Sequence, residues 1–577
     1  MRGTISTFIL LTIFGYSSFA QNPDLQWIDG VGGEQNCTSA AIKSDNLGNC
    51  YLLGNYKGII NFPIASGNFP LESEGVLEDI FLCKSDSLGN FIWAEKIGGY
   101  SQDKAADIAI DNAGYVYFFG IFNAMADIEP GPGQNIIIAN GSDDLFLVKK
   151  DFAGNNIWSK RFGGIGIESA VSIGIDMNSN IYLGGGVVGL SDLIPTPIID
   201  TIGVIGSSDI IVVKLNSQGE FQWVNNIGGP SHDFLMDMHV DNAGNIYCTG
   251  TFNDSASFDH GAGGNMIYSN GNLDIFICKY NTNGSLVWAN SIGGVYNDEV
   301  AGMAFTEDEG LIITGLFLDT IDFDPGAGIF ELTGAGQYNR GNYFCKLDTS
   351  GSFVWARQIG GKSSYRIHAI DSDNNGDFYI TGFFHDSLDL DPGNGVFVFD
   401  TLGNTDILIA KYNDNGDFSW AQNFGAPGYN VEGNQLDIDP HGNVYLANFY
   451  TIYHSQDSVF MGVPALGVHH ILMLRLAQLD YLGSKQNVSH QQYINLYQNY
   501  PNPFKGQTEI SFYLPTSDFI ELSVYDAKGI LTTQLYRGVL DAGTHSMELQ
   551  LSSETKGMYY YQLKTSKGSL MRKMIKF

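Results

Sequence analysis

Basic residues are scarce in this chain. Only 29 Lys and Arg stand against 62 Asp and Glu, a formal net charge of −33. Nucleic acid and anionic lipid are bound through clustered Lys and Arg, so neither is expected as a partner. Cysteine is sparse as well: six in 577 residues, with no Cys-x-x-Cys pair and no dense disulfide framework. Beyond the N-terminus, no apolar run approaches the roughly 20 residues that a spanning helix needs. Signatures of common enzyme classes are missing: no Gly-x-Ser-x-Gly elbow, no His-Glu-x-x-His and no complete phosphate loop. Gly361-Lys362-Ser363 ends like a phosphate loop, but Ala356 stands where its first glycine belongs. That stretch also falls at a glycine pair that recurs along the chain, which reads as a connecting turn.

What is abundant is glycine, 71 residues, and aromatics, 13%. Few charges, many glycines and many aromatics describe short strands joined by tight turns. The seven tryptophans, Trp27, Trp93, Trp158, Trp223, Trp288, Trp355 and Trp420, are 66, 65, 65, 65, 67 and 65 residues apart. One structural unit of about 65 residues therefore recurs. Its pieces are clear in the second copy. Residues 106–111 alternate as a strand, Asp111-Asn112-Ala113-Gly114 turn, and 115–121 form a second strand. After a long loop come a third strand from Asp144, a turn at Ala153-Gly154-Asn155, and the strand of Trp158. Period-two alternation between Gly, Asn and Asp turns is the mark of antiparallel strands. The third strand begins at Asp79, Asp144, Asp209, Asp274, Asn342, Asp406 and His470 in successive copies. The Trp27 strand has no partners before it, and the last copy lacks a tryptophan strand after it. Pairing the two closes a ring and removes both exposed edges. The expected fold is all-β: a seven-bladed β-propeller closed by the N-terminal strand, followed by a small C-terminal β-sandwich.

The repeat, GG…D…I-D-x-x-G-N-x-Y-x-x-G…D-x-F-x-x-K-x-D-x-x-G-x-x-x-W, resembles the SBBP-type β-propeller repeats of secreted bacterial proteins. That resemblance implies a fold and no catalytic residue. The ends of the chain read differently. Arg2, the apolar run 5–14 and Ser18-Phe19-Ala20 before Gln21 form a secretory signal, cleaved between Ala20 and Gln21. From Lys485 onward there are 10 Lys and Arg against 7 Asp and Glu, a shift that marks another domain. Tyr500-Pro501-Asn502-Pro503-Phe504, the 523–529 hairpin SVYDAKG, the turn 541–545, the strand KGMYYYQL at 556–563 and the basic end Arg572-Lys573 resemble the type A C-terminal sorting domain of the type IX secretion system. The resemblance implies a Bacteroidetes-type bacterium, passage of the outer membrane through that machinery, and release or attachment at the cell surface. The chain thus divides into a signal peptide (1–20), a propeller (21–482), a linker (483–493) and a sorting domain (494–577).

Candidate chemistry is limited. Acidic loops follow the second strand of several copies: Asp127-Ile128-Glu129, Asp322-Phe323-Asp324 and Asp389-Leu390-Asp391, each running into Pro-Gly. Asp127, Glu129, Asp322, Asp324, Asp389 and Asp391 are the candidate calcium ligands, since calcium takes six to eight oxygens. The competing reading is a Pro-Gly turn with solvated carboxylates and no cofactor at all. Cys83, Cys278 and Cys345 share one repeat position, which reads as a small buried apolar site. Cys248 and Cys278 fall on neighbouring strands and are the pair to test for a disulfide. His469 and His470 are adjacent on a strand, point to opposite faces and do not grip one metal. Departures from the repeat are Glu307, Asn342, His470 and a shortened seventh loop. The expected function is a non-enzymatic, secreted or surface-held binding or scaffold protein, with a glycan or surface protein as ligand. The alternatives are an extracellular polysaccharide lyase or hydrolase using loop carboxylates, and a structural component of the surface or matrix.

Overall fold

The computed structural model describes residues 23–477 and 495–576. Excepted are 34, 65–66, 130–134, 193–200, 260–265, 307–309, 335–339, 361–364, 394, 402–403, 426–428, 453–458, 461–462, 465–468, 497–498, 500–503, 515–516, 527–529, 542, 552–555 and 566–567. The signal segment with Ala20 and Gln21, the linker, Glu307 and Gly361-Lys362-Ser363 lie outside the described residues. Two compact units are formed, 1–479 and 480–577. Every regular element described is a strand, and no helix among the described residues is long and apolar enough to cross a membrane.

In the first unit, the strands gather into four-stranded antiparallel sheets, labelled A to G here. Sheet A holds Cys37–Ser44, Cys50–Tyr56, Asp79–Ser85 and Phe91–Ile97, and B holds Asp103–Ile110, Val116–Asp127, Ile136–Lys150 and Asn156–Phe162. C holds Ile167–Ile175, Ile181–Val188, Asp209–Leu215 and Phe221–Ile227, and D holds Asp233–Val240, Ile246–Ser257, Met266–Tyr280 and Leu286–Ile292. E holds Glu299–Phe305, Leu311–Leu318, Arg340–Leu347 and Phe353–Ile359, and F holds Tyr365–Ser372, Phe378–Phe384, Asp406–Tyr412 and Phe418–Phe424. G combines Tyr429–Ile438, Val444–Ile452 and His469–Ala477 with Asp24–Gly33 from the start of the chain. The first strand of each sheet lies beside the first strand of the next, and that of G lies beside that of A. The fold is all-β and propeller-like.

The N-terminal strand enters G in the register the other sheets use. Trp27 stands opposite Arg475, as Trp93 stands opposite Lys84 and Trp223 opposite Lys214. A hairpin, Ile59–Ile64 with Gly67–Glu72, continues the ladder from G toward A through Gly32–Asn61 and Gly33–Ile60. Third strands such as Asp79–Ser85 and Asp406–Tyr412 are buried along their whole length. They read as continuous apolar runs because a neighbouring sheet covers each face. The turns that separate strands are closed by aspartate. Asp45 Oδ1 accepts the amides of Leu47 (3.0 Å) and Asn49 (2.9 Å), and Gly48 takes φ +77°, which a side chain rarely adopts. The same turn is built on Asp86, Asp151, Asp241 and Asp439.

The third strand of E corrects one expectation. Counting back from the lysine opposite each tryptophan, Gly341 occupies the place of Asp79 and Asp144, and Asn342 is one residue further on. The unit between Trp288 and Trp355 is the longest, so alignment on the polar residue slipped by one.

The second unit has two sheets. Asn495–Leu496, Gln507–Leu514 and Gly543–Gln550 form one, and Leu531–Leu540, Asp518–Asp526, Gly557–Thr565 and Gly568–Lys576 form the other. Ile510, Phe512, Leu522, Val524, Tyr561 and Leu563 share one core. Asn499, at the start of the Pro-Asn-Pro-Phe segment, is pinned there. Its backbone amide donates to the Tyr561 hydroxyl (2.8 Å) and its side chain to Thr508 Oγ1 (2.8 Å).

Candidate functional site

The first strands of A to G surround a cavity of about 660 Å³. Each of these strands carries a bulge, for example between Ala105 and Asp107 and between Leu235 and Asp237. A bulge re-aims the residues after it. Two positions beyond the bulge supply the side chains that matter. At the first stand Asp107 and Asp237. Two residues further along stand Lys43, His239, Asp371 and Asp437. Small or uncharged residues such as Ala41, Gly302, Ala109 and Gly174 fill these places in other sheets. The charges therefore break the repeat where the sheets converge.

Each carboxylate reaches across a seam. Asp107 of B accepts the Ile173 amide of C (3.0 Å), and Asp237 of D accepts the Met303 amide of E (2.9 Å). Asp371 of F accepts the Ile438 amide of G (2.8 Å), and Asp437 of G accepts the Ser44 amide of A (2.8 Å). Asp437 also takes the Lys43 ammonium at 2.6 Å, with the Asp437 side chain 4% exposed. Burial works against the Lys43 charge, but Asp437 and Asp371 hold its pKa above the ordinary lysine range. Burial pushes Asp107 up to about 6 against the amides of Ile173 and Ile108. Asp371 is raised by burial too, with Lys43 opposing. Burial also works on Asp237, yet the adjacent His239, 3.5 Å away, and the amides of Met303 and Met238 hold its carboxyl below the usual range. His239 is raised in turn: burial disfavours its charge, and Asp237 more than offsets that. The Ser172 hydroxyl sits between Asp107 (3.2 Å) and the Met238 carbonyl (3.1 Å). The four carboxylates tie four seams of the ring, Ser172 bridges a fifth between C and D, and Asp237, besides its amides, pairs with His239 beside the cavity.

The acidic loops do something else. Asp127 ends the second strand of B, whereas Asp322 and Asp389 end short strands, Thr320–Asp322 and Ser387–Asp389, each paired into a separate two-stranded sheet with Glu331–Thr333 and Val398–Asp400. Asp322 Oδ1 accepts the amides of Asp324 (3.1 Å) and Phe330 (2.7 Å), and Asp389 Oδ1 those of Asp391 (3.2 Å) and Phe397 (2.9 Å). Asp127 Oδ1 does the same for Glu129 and Asn135, both at 3.1 Å. Asp324 and Asp391 each accept one further glycine amide of the loop, at 2.8 Å. The apolar residue between the acids, Ile128, Phe323 or Leu390, is fully buried and pins the loop. Among the described residues, no three His, Cys, Asp or Glu are grouped so as to hold a metal ion.

The tryptophans are structural. Trp158 meets Tyr117 edge-on at 6.1 Å, and Lys149 lies 4.8 Å over the same tyrosine. The couple recurs at Trp93–Tyr51, Trp223–Tyr182, Trp288–Tyr247, Trp420–Tyr379 and Trp27–Tyr445. In E, Ile312 replaces the tyrosine, and Trp355 stacks on Phe378 instead. All six cysteines are buried and unbridged. Cys248 and Cys278 face each other across two strands, as free thiols. His470 is buried, stacked on Tyr450 at 4.8 Å, and Asn342 accepts the Ile367 amide at 3.4 Å. The channel charges escaped the sequence reading. Aligning the first strands on their bulge would have shown Lys43, Asp107, Asp237, His239, Asp371 and Asp437 against their neutral counterparts.

Residues 498–576 match the family described as secretion system C-terminal sorting domain. The protein is secreted or attached to the outer cell surface. Its sorting domain implies engagement of the type IX secretion machinery. Across 446 residues, 63% of the chain, it is 22% identical to an uncharacterized WD repeat-containing protein of Acanthamoeba polyphaga mimivirus. Over 138 residues, 24% of the chain, it is 24% identical to the regulatory protein FlaEY of Caulobacter vibrioides. The matched segments span 32% and 14% of those relatives. Among solved structures, PorZ, a surface component of the type IX secretion system of Porphyromonas gingivalis, is 12% identical, covering 94% of this chain and 82% of PorZ at a TM-score of 0.25. A fungal alcohol oxidase in complex with copper is 10% identical, covering 96% of this chain and 100% of the oxidase at 0.35. Likenesses this weak say nothing of activity.

Proposed function

We propose that this is a non-enzymatic binding or scaffold protein of the cell exterior. In this reading, sheets A to G are the blades of a seven-bladed propeller of SBBP-type repeats, and the C-terminal unit is a β-sandwich that serves export. One observation carries the non-enzymatic part: the channel carboxylates are spent on backbone amides of the neighbouring sheet. Groups committed to holding a ring shut are poor candidates for general acid or base work. The loops around such a ring are free to vary and carry the contacts. A glycan or a surface protein is the proposed ligand.

The full-length secreted chain, applied to a broad glycan array with calcium and again with chelator, tests this. Binding without calcium supports the reading and leaves the acidic loops structural. Binding only with calcium makes those loops the site. Turnover of any polysaccharide, abolished by Asp237→Asn, would replace it with an enzyme working through the Asp237–His239 couple. Cell fractionation separates a released binder from a structural surface component.

A further inference from the structure

A second set of acids lies away from the channel, where the third strand of one sheet meets the first strand of the next. The amides of Asp103, Asp233 and Asp298 donate to the carbonyls of Glu78 (2.9 Å), Ser208 (3.1 Å) and Leu273 (2.8 Å), which sets Asp103 beside Asp79 at the A–B seam, Asp233 beside Asp209 at C–D and Asp298 beside Asp274 at D–E. All six are at most 2% exposed. One oxygen of each third-strand acid is held by a loop amide: Asp79 by Glu74 (2.8 Å), Asp209 by Ile205 (2.9 Å) and Asp274 by Asn270 (2.7 Å). The other oxygen, Oδ1, is buried with no hydrogen-bond partner in all three. It lies over the first glycine of the recurring pair. A Cβ on Gly98 would be 2.9 Å from Asp79 Oδ1 and 2.8 Å from Asp103 Oδ2, so both carboxyl groups converge on that point. The opposing acids are fixed by the second glycine: Gly99, Gly229 and Gly294 donate their amides to Asp103, Asp233 and Asp298, each at 2.8 Å.

Positive charge is short at these seams. Near Asp79 and Asp103 stand Lys96 and Glu74, which pair with each other at 2.9 Å. At C–D, Asp209 receives the neutral Asn226 amide (3.0 Å), and no basic group acts on Asp209 or Asp233. At D–E, burial raises both acids, backbone amides oppose it, and Asp298 adds to the rise of Asp274. Two ionised carboxylates in so dry a place repel even with those amides bound, and an orphan acceptor beside an acid is relieved by one proton.

We propose that the A–B, C–D and D–E seams each hold a proton shared between two carboxyl groups, and that this proton is a structural ligand whose loss loosens adjacent sheets. Burial, chiefly, raises all six acids: Asp79 and Asp233 to about 7, Asp103 to about 8, and Asp274 and Asp298 to about 6, with Asp209 also up. The folded state then binds protons that the unfolded chain, titrating near 4, has released. Stability therefore falls as pH rises from about 4, where the unfolded acids lose their protons, and the fall is complete once the folded acids have titrated, at about 6 to 8.

The test is thermal unfolding of the full chain across that range, with Asp209→Asn and Asp274→Asn as permanent mimics of the protonated acid. Wild-type Tm is expected to fall with rising pH, and the variants to flatten the fall and exceed wild type at the alkaline end. Infrared spectra of the wild type, which need no variant to fold, should show buried protonated carboxyl groups that vanish over the same interval. A flat wild-type Tm, or no protonated carboxyl at the acid end, overturns the proposal. So does calcium restoring wild-type Tm at the alkaline end without affecting Asp209→Asn, which would make a divalent cation the occupant.

Discussion

Trp27 donates its indole N–H to the carbonyl of Ser87 at 3.2 Å, joining the first residues of the chain's last sheet to a turn of its first. The indole rests on Gly89, where φ is +86° and a Cβ would lie 2.8 Å from the ring. Interior seams use the same device. Trp223 donates to Thr282 (3.3 Å) over Gly284, and Trp288 to Thr349 (3.1 Å) over Gly351. The tryptophan period thus has a physical cause: Trp27, Trp93, Trp158, Trp223, Trp288 and Trp355 each lie against the glycine of the third-to-fourth-strand turn of the next sheet, and Trp27, Trp223 and Trp288 also bond to that turn.

Trp27→Ala should therefore act as a ring-opening substitution. A partly buried indole with one hydrogen bond is worth about 2–4 kcal/mol, and its loss also frees the N-terminal strand. Gly89→Ala should destabilise by at least about 1 kcal/mol, because it adds both strain and a clash. Urea unfolding of the two variants measures this. Wild-type midpoints in both would show that the closure does not depend on this contact.

The latch between the first strands at the same seam is Asp437, which accepts the Ser44 amide. Asp437→Ala leaves the Ser44 amide without its acceptor and removes the partner of Lys43. Lys43 is 42% exposed and can turn to water, so the amide dominates, and the expected loss is about 1–3 kcal/mol. Asp437→Asn keeps an acceptor and should cost less. Equal losses in the two would place the energy in the ion pair instead.

What was legible in the sequence follows from what repeats. Trp, the Asp-closed turns and the glycine pair recur because every seam needs the same staple, turn and close approach. The sorting domain shows itself through ordered landmarks such as Pro501-Asn502-Pro503-Phe504. The channel charges were hidden because a bulge in each first strand shifts the facing residue by one. Lys43 and Asp437 meet only once the ring is closed, 394 residues apart in sequence. Asn342 resembles the aspartates that begin the other third strands in polarity, but Gly341 is the residue that matches them in distance from Lys346.

Ala124 offers a stabilising change. It takes φ +57°, where A and C have Gly58 (+76°) and Gly189 (+88°) at the corresponding turn. The left-handed region strains a residue with a Cβ by about 1 kcal/mol. Ala124→Gly relieves it, less the entropy a glycine adds to the unfolded chain, for a net gain of about 0.5 kcal/mol. Calorimetry should show a slightly higher Tm. A clear fall would mean that the methyl group packs usefully.

The thiols should be silent in the native protein. Burial, first of all, raises Cys37, Cys83 and Cys345 far above the ordinary thiol range, and only the thiolate reacts quickly. Thiol titration should find no reactive cysteine in buffer and six in denaturant. Four in denaturant would mean that Cys248 and Cys278, opposite each other on paired strands, are bridged in the secreted protein.

Calcium separates the two readings of the acidic loops. If Asp322 and Asp389 serve to close their own loops, their Oδ1 atoms are already occupied by amides at 2.7–3.2 Å. A cation would have to displace those bonds. Tm should then be indifferent to calcium and to chelator. Asp389→Ala should still lower stability, by about 1 kcal/mol, through the two amides it strands. A ligand that binds only the folded state raises Tm in proportion to the logarithm of its concentration. A rise of that form, lost in Asp389→Ala and Asp391→Ala, would make these loops calcium sites, with the amide bonds giving way when the ion enters.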